Sequence, residues 1–224
     1  MLTVVKVGGG LARELGDAAL GRLCRKLGEL AAEHPLLIVP GGGAFADVVR
    51  DHDRRFGLSA RSSHRMALLA MDQFGLVLSE LIPGAQGCLE PAEASARAAG
   101  GRATVLLGAV SAAGDDLLPA SWDVSSDSVA VWAAGVAGAR RVVLIKAVDG
   151  LYLDWPARAD PSAQLTADEL ERLHRHGRCT GVDRYLPTAL RTAGVEAWVI
   201  GGAEPARLGE LLERGSTRGT RLIA

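Results

Sequence analysis

Thr3-Val4-Val5-Lys6-Val7-Gly8-Gly9-Gly10 opens the chain with a β-branched run that holds one lysine and stops in glycines. A second apolar run, Leu36-Leu37-Ile38-Val39, stops the same way in Pro40-Gly41-Gly42-Gly43. Each reads as a strand, a glycine turn and a helix start, where bare backbone N–H groups can approach an anion. Two such junctions, with a lysine in the first, suit a site that holds two phosphate-bearing molecules end to end. The loops are not of the Walker A kind, because GxxxxGK followed by Ser or Thr is absent. Nor do they form GxGxxG, since Ala46 stands where the third glycine would fall.

Outward from these junctions, strands and helices alternate. Residues 2–7, 36–40, 104–110, 142–147 and 195–200 read as strands, with a last edge strand at 220–223. Leu11, Leu15, Leu23, Leu27 and Leu30 mark a helix over 11–33, and Phe45, Val48 and Val49 lie on a helix after the second glycine run. Ser62 to Leu81 is the most apolar helix. Met66, Leu69, Phe74, Val77 and Leu81 surround it, which suits deep burial or half of a subunit interface. Further helices are expected at about 125–137, at Thr166 to His174 behind a Thr166–Glu169 capping box, after Pro187, and over 205–214. Solid apolar strands between helices predict an α/β fold, a three-layer αβα sandwich on a mostly parallel central sheet. Without a low-complexity linker or internal repeat, residues 1–224 are expected to form one domain whose halves line a cleft.

Composition excludes several classes of function. The net charge is −1, with no long run of one sign, so nothing attracts nucleic acid or an anionic membrane. Cys24, Cys88 and Cys179 form no CxxC pair, a reduced pattern that suits the cytoplasm. No apolar stretch reaches about 18 residues without a charge, so no membrane span is expected.

The chemistry concentrates in four blocks. Lys6 is costly to bury among valines unless its head meets solvent or an anion. The adjacent glycines favour the anion, with the ammonium neutralising a phosphoryl group in flight. In Ser121-Trp122-Asp123-Val124-Ser125-Ser126-Asp127-Ser128, the serines and Asp127 suit helix N-caps, while the two aspartates could also hold a lysine and a magnesium-bound water. Lys146-Ala147-Val148-Asp149-Gly150 is either a plain strand-end turn or a second lysine at a strand's carboxyl end, where α/β sites lie. His174 and His176, two apart on a helix, point different ways and make no metal pair.

In this order and spacing, the blocks resemble the amino acid kinase family. That family includes the N-acetylglutamate, aspartate, glutamate, uridylate and isopentenyl phosphate kinases. Val199-Ile200-Gly201-Gly202, Pro205, Leu208 and Arg218-Gly219-Thr220 resemble its C-terminal pattern, so the likeness covers nearly the whole chain. The resemblance implies the family's fold, Mg-ATP as donor, and a homodimer or higher homo-oligomer. It implies catalytic roles for Lys6, Asp127 and Lys146, with Asp127 positioning the lysines. Gly8, Gly9, Gly10, Asp149, Tyr152 and Asp154 would then hold ATP, and Gly41, Gly42 and Gly43 would lie between acceptor and transferred phosphoryl. Residues of about 1–120 would form the acceptor half and about 121–224 the nucleotide half. Magnesium would have no direct protein ligand and would be held mainly by the ATP phosphates. Transfer would be in line, through positioning and charge neutralisation, with no dedicated base.

The acceptor implied by resemblance is a phosphate, not a carboxylate. Ser125-Ser126-Asp127-Ser128 is similar to the Thr-Thr-Asp run of uridylate kinases, and Val148-Asp149-Gly150 to the turn of the phosphate-acceptor branch. The helix His64 to Gly75, the Trp122–Asp127 run and Thr180 to Pro187 most resemble the branch that serves methanofuran or methylofuran synthesis. That branch converts (5-(aminomethyl)furan-3-yl)methyl phosphate to its diphosphate. Such an acceptor needs a phosphate clamp, expected from Gly41 to Gly43 with Arg61 or His64. It also needs an anion for its ammonium, expected at Asp123, and a flat wall for its ring, expected at Trp122. UMP or isopentenyl phosphate kinases are the alternatives within the fold, as is a non-catalytic nucleotide- or anion-binding member. A Rossmann dehydrogenase is weakly supported, because Glu29 and Glu33 fall inside a helix where a strand-end acid is needed.

Overall fold

The first strand, β1 (Thr3–Val7), is buried along its whole length, as a strand covered on both faces must be. The computed structural model describes residues 1–107, 118–153, 160–178 and 181–224. After β1 come α1 (Leu11–Leu15), α2 (Asp17–Glu33), β2 (Leu36–Pro40), α3 (Gly43–Phe56) and α4 (Ala60–Leu81). Next are β3 (Gln86–Cys88), α5 (Pro91–Ala99), β4 (Thr104–Leu106), α6 (Ser126–Val136), β5 (Arg141–Lys146) and β6 (Gln164–Thr166). The remaining elements are α7 (Ala167–Arg175), α8 (Leu186–Ala193), β7 (Glu196–Gly201), α9 (Ala206–Arg214) and β8 (Thr220–Ile223).

The described strands form one eight-stranded sheet in the order β3-β4-β2-β1-β5-β7-β8-β6. Neighbours are parallel except for the antiparallel pair β7–β8. Alternate residues of β1 feed two cores. Val4 packs with α5, α6 and α8 on one face, while Val5 and Val7 pack with α2 and α9 on the other. This is the expected α/β three-layer sandwich.

Several local expectations are corrected. The helix expected over 11–33 is two helices, broken at Gly16, whose φ of 86° an L side chain would resist. Strands β3 and β6 and helix α5 went unpredicted, the strands because three residues carry too little periodicity. β4 ends at Leu106, and residues 108–110 of the strand expected there lie outside the described residues. β8 is not an edge strand, because β6 pairs outside it. The capping box forms as expected, with Thr166 and Glu169 bonding each other's backbone N–H groups. On α4, Leu68, Met71, Gly75 and Leu78 are buried, whereas Leu69 and Leu76 face outward.

The order places β1 between β2 and β5, so the chain leaves β1 in one direction along the sheet and later resumes on its other side. The crevice at the carboxyl ends of such strands is where α/β proteins bind ligands.

Candidate active site

Register brings the two lysines together at that crevice. Lys6 of β1 pairs with Leu144 of β5, and Lys146 lies two residues further along β5, so both side chains leave the same face of the sheet. The start of α6 covers that face and delivers Asp127 between them. Lys6 Nζ lies 3.0 Å from Asp127 Oδ1, and Lys146 Nζ donates to Asp127 Oδ2 at 2.6 Å. Lys6 is 4% and Asp127 1% exposed, so the group is desolvated as well as charged.

Burial pulls the Lys6 ammonium down to about 8, against the opposing pull of Asp127's charge. Burial alone would push Asp127 up, but the charges and hydrogen bonds of Lys146 and Lys6 outweigh it and hold the carboxyl well below the usual carboxylate range. Two cations on one anion leave the trio a net positive charge at neutral pH. Each Asp127 oxygen faces an ammonium group, Oδ2 through the hydrogen bond from Lys146 and Oδ1 through the ion pair with Lys6. Among the described residues, no group of three His, Cys, Asp or Glu side chains could hold a metal ion.

Asp127 is itself anchored from a distance. Asp183 accepts from the backbone N–H and hydroxyl of both Ser125 and Ser128, at 2.6–3.0 Å, and so caps α6. Burial and the nearby charge of Asp127 raise the Asp183 carboxyl, and the serine bonds oppose that rise. The serines announce a helix start, but a capping partner 55 residues downstream leaves no local signal.

The glycine loops meet directly. A Cβ on Gly9 would lie 2.0 Å from the Gly43 nitrogen, and one on Gly41 would lie 2.5 Å from the Gly9 nitrogen. Only bare backbone fits there. Gly43 also has φ +54, a conformation that L side chains rarely adopt. The N–H groups of Gly8 and Gly41 are spent inside the protein, on Ile145 O and Val7 O. Those of Gly9, Gly10 and Gly42 have no backbone acceptor among the described residues. Gly42 is also the N-cap of α3, where the helix dipole favours an anion. A cleft of about 610 Å³ joins Gly9, Gly10, Gly42 and Gly43 to Lys6 and Lys146.

The pattern of the amino acid kinase family matches residues 1–200. The chain belongs to the amino acid kinase family. It is 28% identical over 214 residues to the [5-(aminomethyl)furan-3-yl]methyl phosphate kinase of Methanocaldococcus jannaschii, covering 94% of this chain and 92% of that protein. An acetylglutamate kinase of Acidothermus cellulolyticus is 36% identical over 87 residues, 38% of this chain and 29% of its own. Among solved structures, the uridylate kinase of Archaeoglobus fulgidus shares the fold at TM-score 0.74 and 17% identity, covering 99% of this chain and 100% of its own. The UMP kinase of Bacillus anthracis does so at TM-score 0.71 and 17% identity, covering 99% of this chain and 95% of its own. The protein is therefore a phosphotransferase, and kinases of this family use ATP.

In this amino acid kinase, a smaller cavity of about 60 Å³ continues past Gly42 and Ser126 to His64 and Trp122. Trp122 is 41% exposed, and its Nε1 donates to Asp53 at 2.6 Å. The Arg50 guanidinium lies 5.1 Å over its ring. Arg50 lines both cavities and escaped the sequence reading. The available signal was its spacing: seven residues past Gly43, it returns to the glycine's side of α3. Arg61 and Asp123 are exposed and line neither cavity.

On the kinase's other side, Asp149 pairs with Arg207 and Arg218, which hold its carboxyl below the usual range. Tyr152 is partly buried, and Asp154 lies outside the described residues. Leu153, Arg172, His176 and Arg178 line a separate cleft of about 570 Å³. No described helix is long and apolar enough to cross a membrane.

Proposed function

We propose that this kinase transfers the γ-phosphoryl of ATP to a phosphate acceptor, [5-(aminomethyl)furan-3-yl]methyl phosphate, forming its diphosphate. The observation that carries the reaction is one buried carboxylate holding two ammonium groups where two glycine loops touch. Phosphoryl transfer spreads charge over oxygens that fixed cations and backbone N–H groups can meet without reorganising. Lys6 and Lys146 neutralise that charge, and Asp127 sets their positions. Gly9 and Gly10 present N–H groups to the donor phosphates, while Gly42, Gly43 and Arg50 face the acceptor phosphate. Gly8 and Gly41 shape the loops, since their own N–H groups are taken. Asp149 and Tyr152, which follow the carboxyl end of β5, belong to the nucleotide side, and the family resemblance assigns Asp154 the same role. Magnesium, carried on the ATP phosphates, supplies further charge neutralisation.

The choice of acceptor is supported by similarity to the furan phosphate kinase along nearly the full length of both chains. An ADP-release assay across the furan phosphate, UMP and isopentenyl phosphate tests it. We expect kcat/KM for the furan phosphate to exceed the others at least ~10-fold, a gap of about 1.4 kcal/mol. A preference for UMP or isopentenyl phosphate would overturn the acceptor. Tight ATP binding without turnover on any of them would favour a nucleotide-binding role. The exposed Leu69 and Leu76 on α4 support a homodimer through that face, to be read from solution mass.

A further inference from the structure

The acceptor side of the cleft ends in a pocket that none of the roles above uses. A cavity of about 30 Å³ adjoins the one at Gly42 and shares His64, Ala67, Trp122 and Val124 with it. Ser63 also lines this inner cavity and is 1% exposed. Ser63 Oγ and His64 Nε2 are both buried without a hydrogen-bond partner among the described residues. An unmade bond of this kind costs on the order of 1–3 kcal/mol, and two at adjacent residues in one cavity call for an occupant.

The surroundings define that occupant. Asp53 and Arg50 hold the indole of Trp122, which walls both cavities. Among the described residues no charged side chain lines the inner cavity, whereas Arg50 and Gly42 stand at the opposite end, where a phosphate fits. Burial lowers the His64 imidazole from its ordinary value, which favours the neutral ring, and in the tautomer that carries its proton on Nδ1 the buried Nε2 accepts. Ser63 Oγ offers a second acceptor. Two acceptors beside an indole face suit a group with at least two N–H donors and positive charge.

We infer that Ser63 and His64 form the subsite that reads the acceptor's end remote from its phosphate, accepting hydrogen bonds from a primary ammonium there. This rests on the phosphate-acceptor reading and changes His64 from a clamp residue to a specificity residue. Asp123 loses the ammonium role, because its exposed side chain lines neither cavity.

The test compares kcat/KM for [5-(aminomethyl)furan-3-yl]methyl phosphate and its 5-methyl analogue. Wild type should prefer the amine by about 10- to 100-fold, the worth of hydrogen bonds to a charged group. His64→Leu should shrink that preference at least ~10-fold, through KM for the amine. His64→Gln keeps an acceptor and should retain most of the preference, and Ser63→Ala should lose part of it. If His64→Leu does not fold, the other two variants carry the comparison. Absence of any preference in wild type would leave the cavity to water and overturn the subsite. Equal losses on both substrates would mean a structural role and overturn it too. Failure of wild type on both furans would instead overturn the acceptor reading, and the subsite with it.

Discussion

The Lys6–Asp127–Lys146 trio at the main cleft and the exposed Arg50–Trp122–Asp53 clamp, which reaches that cleft through Arg50, are built on opposite terms. In the trio, charges sit in the protein interior, where removing one partner strands the others. In the clamp, a half-exposed indole is held by one hydrogen bond and a stacked guanidinium, each weakened by solvent. In the function we propose, the trio serves the phosphoryl transfer at the sheet's centre, and the clamp meets the acceptor's phosphate at the rim.

Breaking the trio should have the largest effect. Asp127→Ala leaves the buried Lys6 ammonium facing the half-buried Lys146 ammonium, and we expect about 3–5 kcal/mol of lost stability in urea unfolding. Its kcat should fall roughly 1,000-fold, the upper range for losing a transition-state contact. Lys6→Ala should fold and lose at least ~100-fold in kcat. Near-wild-type turnover would remove Lys6 from the site.

A pH titration sharpens the comparison without deleting anything. Because Lys6 titrates at about 8, kcat should fall as pH rises through that value. Lys6→Arg should carry the alkaline limb upward, since a guanidinium stays protonated. Stability should respond with the opposite sign. The folded value lies below the unfolded value of 10.5, so between about 8 and 10.5 the unfolded chain binds the extra proton. Over that window, this lysine's contribution to stability rises with pH. Unfolding measurements that fell in step with kcat would contradict the assignment.

Breaking the clamp should cost less. Arg50→Ala should raise the acceptor KM by about 10-fold with little change in kcat or in KM for ATP, as expected for one charge-assisted contact. Asp53→Asn, which only loosens Trp122, should change the acceptor KM by no more than ~3-fold. If Asp53→Asn matched Arg50→Ala, the indole and not the arginine would be the acceptor's main contact.

Much of this was legible along the chain. The apolar runs before Gly8 and Gly41 announced parallel strands, and Ser125 to Ser128 announced a helix start, because both signals are local. Short β3 and β6 were not legible, since three residues have no period to read, and Gly16 broke a leucine pattern that continued past it. In the site, Lys6, Asp127 and Lys146 could be named from their blocks. Asp183, Arg50 and the buried Ser63 Oγ and His64 Nε2, which have no hydrogen-bond partner among the described residues, could not, because each matters through a partner or a cavity distant in sequence.

By itself, then, the sequence determined the α/β layering and the set of charged and glycine-rich ends available to bind phosphates. Periodicity and turn chemistry act over a few residues, and that is their range. Only the tertiary structure decided that Lys6 and Lys146 leave one face of adjacent strands, that Asp127 stands between them, and that Gly9 touches Gly43. Those facts follow from strand order and register, which the packing of the whole sheet sets and no local stretch contains.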